Sequence, residues 1–362
     1  MTDFQYDFLS LIRLGLGRYT LGITENPNWI RVHEIAAKQG LLAIVVDGID
    51  KLPTEKRPPQ ELLLEWIGDV LQSYEYRYNA YKHSIAELAG FYNSHNFKVM
   101  ILKGYACSLN WPRPEHRPCG DIDIWQFGLQ KDADAMLTKE KKIKVDNSHH
   151  HHSVFNWGDF TVENHYDFVN IHHHKSNAKL EMIFKELGQD ESHFDVLKDT
   201  QNGSEIKVYL PSPNLHALFL LKHAMNDFTT SSVTLRQVLD WGFHVQRYEK
   251  EIDWEWLKDM ITKYQMIDFY NCINAICVED LGFEASMFHG VQFNPTMKEK
   301  ALNDILNPKF ERSEPKWLIP RLFYKYRRWK ANEWKRNICY SESRWSSLRS
   351  GIRNHLLKPA TI

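Results

Sequence analysis

The segment Gly120-Asp121-Ile122-Asp123-Ile124 limits the fold of this chain more than any other stretch of the sequence. Acidic and apolar residues alternate here with a period of two, which is the side-chain period of a β-strand. Asp121 and Asp123 are therefore predicted to project from one face of a strand, while Ile122 and Ile124 enter the core behind it. Two close carboxylates repel each other unless a cation lies between them, and a divalent ion is the usual partner. We expect a strand that carries a metal site.

A glycine turn precedes this strand. Lys103-Gly104-Tyr105 follows a predicted strand and begins a predicted short helix. Such a turn supplies backbone N–H groups for phosphate oxygens. A metal site beside a phosphate cradle indicates the chemistry of nucleotide transfer.

Hydrophobic periodicity predicts an α+β architecture in the order helices, small mixed sheet, helices. One long helix is predicted over residues 59–94, and the chain after residue 211 is helical in pattern. Strands are predicted at residues 98–102, 122–127, 153–157 and 160–168, the last two joined by a tight turn at Gly158-Asp159. The predicted domains are an N-terminal helical segment (1–95), a core that carries the carboxylates (96–210) and a C-terminal helical domain with a basic, aromatic tail (211–362).

Composition indicates the cellular compartment of the chain but not the reaction that it catalyses. The formal net charge is −1, so no global field steers the chain to nucleic acid or acidic lipid. The sequence has no apolar run of the roughly 18 residues that a membrane-spanning helix needs, and residues 1–10 lack the pattern of a signal peptide. The five cysteines form no Cys-x-x-Cys pair, which favours a reduced, cytoplasmic setting without a thiolate zinc site.

The order of short motifs resembles the DNA polymerase β-like nucleotidyltransferase superfamily, and within it the bacterial uncharacterised nucleotidyltransferase family. The matching segments, over roughly residues 30–260, are Leu102-Lys103-Gly104, Trp111-Pro112-Arg113-Pro114, Arg117, Gly120-Asp121-Ile122-Asp123, Val162-Glu163-Asn164-His165, Leu220-Leu221-Lys222-His223-Ala224 and Leu235-Arg236-Gln237-Val238-Leu239-Asp240. Two features depart from the superfamily pattern: Tyr105 stands where a small residue is usual, and the spacer before the carboxylates is longer.

The resemblance implies a small mixed-sheet nucleotidyltransferase core and a role for particular residues. Asp121, Asp123 and Glu163 would hold Mg²⁺ or Mn²⁺, and Glu163 would also activate an acceptor hydroxyl. The implied reaction moves an NMP group, with ATP as the first candidate donor, to an acceptor that the sequence does not identify (small molecule, protein or RNA). The implied nucleotide contacts are Lys103, Gly104, Tyr105, Arg117, Lys222, Arg236 and Asp240.

Several alternatives stay open at the level of sequence. Asp167 and Glu181 are rivals of Glu163 for the third carboxylate, and His165 is either an orienting group or a core histidine. Arg236 and Asp240 lie four residues apart, so they are equally consistent with a helix-surface salt bridge. A catalytically inactive nucleotide-binding or partner-binding module is a second interpretation, because the bulk of Tyr105 could crowd the phosphates.

Two further patterns suggest ligands without specifying them. The histidine runs 149–152 and 172–174 flank the predicted hairpin, but no cysteine accompanies them, and exposed strand ends are the simpler interpretation. Residues 321–336 contain seven basic residues and one acid, with aromatic residues interleaved. This pattern suits RNA or an anionic surface, and also an amphipathic helix that docks on the protein itself.

Overall fold

The computed structural model describes residues 1–149, 151–172, 174, 176–198, 203–310, 315 and 317–340. His150, His173 and residues 341–362, on which parts of the predictions above fall, lie outside the described residues. The chain divides into two compact units. The first comprises Met1–Gln72 and the described residues from Leu220 onward, and the second comprises Ser73–Phe219.

The helices and strands follow the predicted order of helices, sheet and helices. In chain order they are α1 (Asp3–Gly15), α2 (Trp29–Gln39), α3 (Leu42–Asp50), α4 (Gln60–Val70), α5 (Arg77–Ser94), β1 (Met100–Ile101), α6 (Tyr105–Ser108), β2 (Ile122–Trp125), α7 (Gln130–Lys141), β3 (His152–Trp157), β4 (Phe160–His165), α8 (Asn177–Leu187), β5 (Phe194–Lys198), β6 (Glu205–Tyr209), α9 (Pro213–Thr230), α10 (Leu235–Tyr248), α11 (Trp254–Lys263), α12 (Ile267–Ala275), α13 (Pro295–Leu306), α14 (Leu318–Ala331) and α15 (Glu333–Tyr340). The α+β class is confirmed.

The sheet of the second unit is mixed. Within the described residues it has six strands in the order β3-β4-β2-β1-β6-β5. The central pair β2–β1 is antiparallel and is flanked by the parallel pairs β2–β4 and β1–β6, and the outer pairs β3–β4 and β5–β6 are antiparallel. This order places β2, which carries Asp123, next to β4, which carries Glu163, although about forty residues separate them.

Element lengths differ from the prediction where the local signal was weak. The predicted strand 98–102 pairs only at Met100–Ile101, and the predicted helix 59–94 contains a π-helical segment, Leu71–Tyr76, between α4 and α5. The ambiguous segment 180–187 is part of helix α8. Strands β5 and β6 were not predicted. β5 lies at the sheet edge and is mostly exposed, so it lacks the apolar face that marks a half-buried strand.

One face of the sheet packs on α5 and α7. Tyr81 and Ile85 of α5 and Leu137 of α7 share a buried cluster with Ile122 and Ile124 of β2. Each fully buried large apolar side chain contributes roughly 1.5–3 kcal/mol, so this cluster fixes the face that β2 presents to the core. The expected orientation of both isoleucines is confirmed, and the opposite face of β2 is left for Asp123.

The first unit joins helices from the two ends of the chain. The Gln5 side-chain amide donates to Asn307 Oδ1 at 3.0 Å, and the buried Gln39 donates to the Ile305 carbonyl and accepts from the Leu235 amide, both at 2.8 Å. A buried amide that is satisfied on both sides fixes the packing of the elements it joins. Among the described helices, none combines the length and the apolar character that a bilayer crossing requires.

Candidate active site

Strand register brings the predicted acids together. In the parallel pair β2–β4, Asp123 lies opposite Glu163 and Trp125 lies opposite His165. Residues opposite each other on neighbouring strands project to the same face, and so do residues two apart on one strand. Asp123, Glu163 and His165 therefore project to a single face, away from the isoleucine core.

Asp123 is the buried centre of this group, with 5% of its surface exposed. Its Oδ1 lies 2.8 Å from Lys103 Nζ and 3.1 Å from His165 Nε2. Burial by itself would raise the pKa of Asp123, but the two cationic neighbours outweigh burial and hold the pKa well below its usual range. Asp123 is thus ionised at neutral pH.

Glu163 lies between two imidazoles. Its Oε2 is 3.6 Å from His165 Nε2, and its Oε1 is 3.8 Å from His152 Nε2. Burial opposes ionisation, yet the hydrogen bond to His165 lowers the pKa of Glu163. For His165, burial is again the largest influence, but the bonds to Asp123 and Glu163 prevail and raise its pKa to about 9. The face therefore holds ionised carboxylates balanced by cationic side chains.

Asp121 lies immediately before β2 and is exposed. Partial burial, followed by repulsion from Glu163 and Asp123, raises the pKa of Asp121. Among the described residues, the group of ligand atoms that lie within 4.8 Å of one another contains Asp123, Glu163 and His165 but not Asp121. The third predicted carboxylate is therefore an electrostatic neighbour of this group rather than part of it. The Asp121 carbonyl accepts a hydrogen bond of 2.9 Å from the Tyr81 hydroxyl, which ties the start of β2 to α5.

Gly104 takes a backbone conformation that only glycine adopts readily. Its φ is +53°, and a Cβ atom placed there would lie 2.0 Å from the Tyr81 hydroxyl oxygen. Both the positive φ and this contact exclude a larger residue. The side chain of the next residue, Tyr105, is buried, and its hydroxyl donates to Asp195 Oδ2 at 2.6 Å. The bulk of Tyr105 is therefore accommodated in the core of the second unit.

The other predicted nucleotide contacts have varied surroundings. Arg117 is 3% exposed and donates to the Pro118 carbonyl at 3.2 Å. Lys222, in the first unit, is fully buried with its ammonium 3.4 Å from the Tyr340 hydroxyl, and burial lowers its pKa to about 7. Arg236 is half-buried and Asp240 is buried on α10 of the same unit. Their contacts with a nucleotide stay predictions.

The two rivals of Glu163 have other partners. Asp167 Oδ1 pairs with Lys185 Nζ at 2.5 Å. The Glu181 carboxylate accepts the amides of Phe168 and Val169 at 3.1 and 3.0 Å, and so holds the segment that follows β4. Asp167 and Glu181 thus have structural partners of their own, and neither is needed as the carboxylate next to Asp123.

Helix α5 supplies two residues that the sequence did not single out for the site. Arg77 Nε donates to the Cys119 carbonyl at 3.1 Å and exerts a favourable electrostatic effect on Asp121. Tyr81, one turn later, lies on the buried face of the helix. An arginine and a tyrosine at i, i+4 on a helix share a face, but nothing in that spacing indicates which strand they meet.

Two histidines of the first run, His151 and His152, lie at this site. The potential ligand atoms of His151, His152 and His165 lie within 4.8 Å of one another, and so do those of Asp123, Glu163 and His165. The expectation of an exposed strand end is wrong for His152, which is 7% exposed. Carboxylate oxygens and imidazole nitrogens are ordinary ligands of divalent ions, so the donor set of this face fits a metal.

The basic segment 321–336 divides between two helices. Lys335 on α15 is buried, with its ammonium 2.5 Å from Asp304 Oδ2 and 3.0 Å from the Ser231 carbonyl, so this part docks on its own unit. Helix α14 instead exposes apolar side chains, among them Ile319, Phe323 and Tyr326. Contact of this segment with RNA or an anionic surface stays a prediction.

Comparison with known proteins agrees with the motifs. The sequence model of a family described as "Uncharacterised nucleotidyltransferase" matches residues 25–282. A solved structure of an antigenic nucleotidyltransferase-like protein from Paracoccidioides brasiliensis aligns at 14% identity and a TM-score of 0.32, covering 58% of this chain and 96% of that one. A TM-score this low leaves the assignment resting on the family match. No curated protein matches the sequence. Because the family match covers most of the chain and contains every motif quoted above, the chain belongs to the uncharacterised nucleotidyltransferase family.

Proposed function

We propose that this protein is a divalent-metal-dependent nucleotidyltransferase that moves an NMP group, AMP from ATP in the first instance, to a hydroxyl acceptor. One observation carries the proposal. The register of β2 and β4 sets Asp123 opposite Glu163, with Asp121 near enough for its pKa to respond to both. Two converging carboxylates with a third one just before the strand are suited to hold Mg²⁺ or Mn²⁺.

The chain's own residues have distinct parts in this reaction. The acceptor oxygen forms a bond to the α-phosphorus while the bond to the β-phosphate bridge breaks, and pyrophosphate leaves with the electron pair. Glu163, half-buried and ionised, takes the hydroxyl proton. Lys103, whose ammonium already neutralises Asp123, supplies positive charge for the phosphates beside the Gly104 turn. A bound divalent ion would add neutralisation of the phosphate oxygens.

The position of Tyr105 favours transfer over the inactive-module interpretation. That alternative rests on the bulk of Tyr105 at a site where phosphates would bind. Its side chain is buried and its hydroxyl is committed to Asp195, so the bulk that motivated the alternative is directed into the core.

The test is transfer from α-labelled NTPs with Mg²⁺ or Mn²⁺, using water, nucleosides, sugars, protein and tRNA as acceptors. We expect labelled product and pyrophosphate from the wild type and loss of both with Asp123→Asn. Asp159→Asn, an exposed turn acid in the same unit, is the matched control and should retain activity. A wild type that neither binds nor turns over any NTP with metal would contradict the proposal.

A further inference from the structure

The imidazole of His165 makes the backbone hydrogen bond that is typical of a metal-ligating histidine. Its Nδ1 lies 3.3 Å from the Asp167 carbonyl oxygen, and because a carbonyl can only accept, Nδ1 carries the hydrogen. The other nitrogen, Nε2, faces Asp123 Oδ1 and Glu163 Oε2, at 3.1 and 3.6 Å. A divalent ion bound between these atoms would take the place of the proton that Nε2 carries beside the two acids. Metal-bound histidines typically donate the distal N–H to a backbone carbonyl in this way, which fixes the ring and its tautomer.

The segment that supplies this carbonyl is itself held in place. The amides of Tyr166 and Asp167 donate to the His151 carbonyl at 3.0 and 3.1 Å, and Glu181 accepts the two amides that follow. The orientation of His165 is therefore set by the fold around it. A ligand whose orientation is fixed in advance loses little entropy when it binds an ion.

A second imidazole lies on the far side of Glu163. His152 is buried, with its Nε2 3.8 Å from Glu163 Oε1, and its ring centroid is 5.3 Å from that of His165. Among the described residues, the buried Nδ1 of His152 has no hydrogen-bond partner. The atom of this ring that faces Glu163 is Nε2, so His152 adds a second imidazole nitrogen beside the same carboxylate.

We propose that Asp123, Glu163 and His165 form an oxygen–oxygen–nitrogen site that selects a first-row transition ion over Mg²⁺, and Mn²⁺ is the ion that tests it. The physical reason is the imidazole nitrogen. Mg²⁺ favours oxygen ligands and sheds water reluctantly, whereas imidazole is an ordinary ligand of Fe²⁺, Ni²⁺, Cu²⁺ and Zn²⁺, and Mn²⁺, the hardest ion of that row, accepts oxygen and nitrogen ligands together. Three protein ligands also leave a position open for water or a substrate oxygen, as in catalytic metal sites. This inference rests on the proposed function in that it names the ion of the same site.

The experiment uses the full chain with MnCl₂ alone and no nucleotide. Pulsed EPR on bound Mn²⁺ is expected to detect one directly coordinated ¹⁴N in the wild type, a readout that needs neither activity nor a variant. Competition with MgCl₂ should show that Mn²⁺ binds at least roughly tenfold more tightly, because Mg²⁺ sheds water reluctantly and gains little from an imidazole ligand.

Variants assign the nitrogen to its residue. His165→Gln should abolish the ¹⁴N coupling and most of the preference for Mn²⁺. His95→Gln, at the end of α5 in the same unit, is the matched control and should change neither. Circular dichroism checks that the variants are folded. Absence of Mn²⁺ binding, bound Mn²⁺ without nitrogen coupling in the wild type, or coupling that survives in folded His165→Gln would each overturn the inference.

These outcomes are separable from failure of the proposed function. Nitrogen-coupled Mn²⁺ without NTP turnover would support the metal site and contradict the proposed transferase activity. Turnover with Mg²⁺ and no nitrogen coupling would leave the transferase standing and reject the histidine ligand.

Discussion

Replacing Gly104 with alanine tests whether the turn beside the carboxylates is held by Tyr81. The added Cβ would lie 2.0 Å from the Tyr81 hydroxyl oxygen, 3.0 Å from Cζ and 3.4 Å from Cε1. The Tyr81 ring is fully buried, so it cannot swing into solvent. The hydroxyl must therefore shift and lose its bond to the Asp121 carbonyl.

Three costs combine in Gly104→Ala. A non-glycine residue in a sparsely populated positive-φ conformation costs about 1–3 kcal/mol, and overpacking against a buried ring costs about 1–3 kcal/mol. Loss of the Tyr81–Asp121 hydrogen bond adds about 1 kcal/mol. We expect the free energy of unfolding to fall by about 3–7 kcal/mol, a large part of the roughly 5–15 kcal/mol that a folded protein has.

A double-mutant cycle measured by urea denaturation separates these costs. Tyr81→Phe removes the clashing oxygen and should by itself cost about 1 kcal/mol. In the Tyr81→Phe background, Gly104→Ala should cost about 1–2 kcal/mol less than in the wild type, because overpacking is relieved and no hydrogen bond remains to be lost. The backbone penalty persists in both backgrounds.

Gly158→Ala is the matched control. Gly158 has φ +56° in the same unit, and the nearest atom to its added Cβ is at an ordinary 3.7 Å. It should show the backbone penalty alone and no coupling to Tyr81→Phe. Additive costs for Gly104→Ala and Tyr81→Phe, or a Gly104→Ala variant as stable as the wild type, would refute the reasoning.

Three further predictions concern buried polar groups. Lys222→Met should raise the free energy of unfolding at pH 7 by up to about 4 kcal/mol, and by progressively less toward pH 10.5, as measured by urea titration. The reason is that a lysine with a folded pKa near 7 binds fewer protons in the folded than in the unfolded state between those pH values. A gain in stability that does not depend on pH would contradict this. Tyr105→Phe should lower the unfolding free energy by about 1.5–3 kcal/mol, since it deletes a hydrogen bond to the carboxylate of Asp195, and should leave NTP affinity, measured by calorimetry, unchanged. Burial raises the pKa of Glu181 to about 7, so between pH 4.5 and 7 the folded state binds more protons than the unfolded state, and this group lowers stability as pH rises. In thermal melts, Glu181→Gln should flatten the fall of the melting temperature with pH over this range. An unchanged pH dependence of the melting temperature would count against the raised pKa.

The carboxylate strand and the glycine turn were readable from sequence because local patterns define them. Alternation around Asp121 and Asp123 predicted which side chains enter the core, and the isoleucines are found there. Glycine before a short helix predicted a turn, and Gly104 has the positive φ that such turns require. Edge strand β5 gave no comparable signal, because so little of it is buried.

Which side chains surround those carboxylates could not be predicted from local sequence patterns. Register between β2 and β4 depends on how two distant strands pair, and that pairing selected Glu163 over Asp167 and Glu181. The same pairing brought His165 to the site, and the pairing of β3 with β4 brought His152 there, although an exposed strand end had been the simpler interpretation of its histidine run. In the first unit, Gln39 is bonded to residues near 235 and 305, a contact that no short window of sequence contains.

By itself the sequence determined the α+β class, the family and the strand that bears Asp123, because periodicity and short motifs are properties of neighbouring residues. Only the tertiary structure decided which acid faces Asp123, that Tyr105 turns into the core, and that an imidazole joins the carboxylates. Those outcomes depend on strand register and packing between segments far apart in the chain, where the free energy of burial and charge pairing is set by contacts that local sequence does not encode.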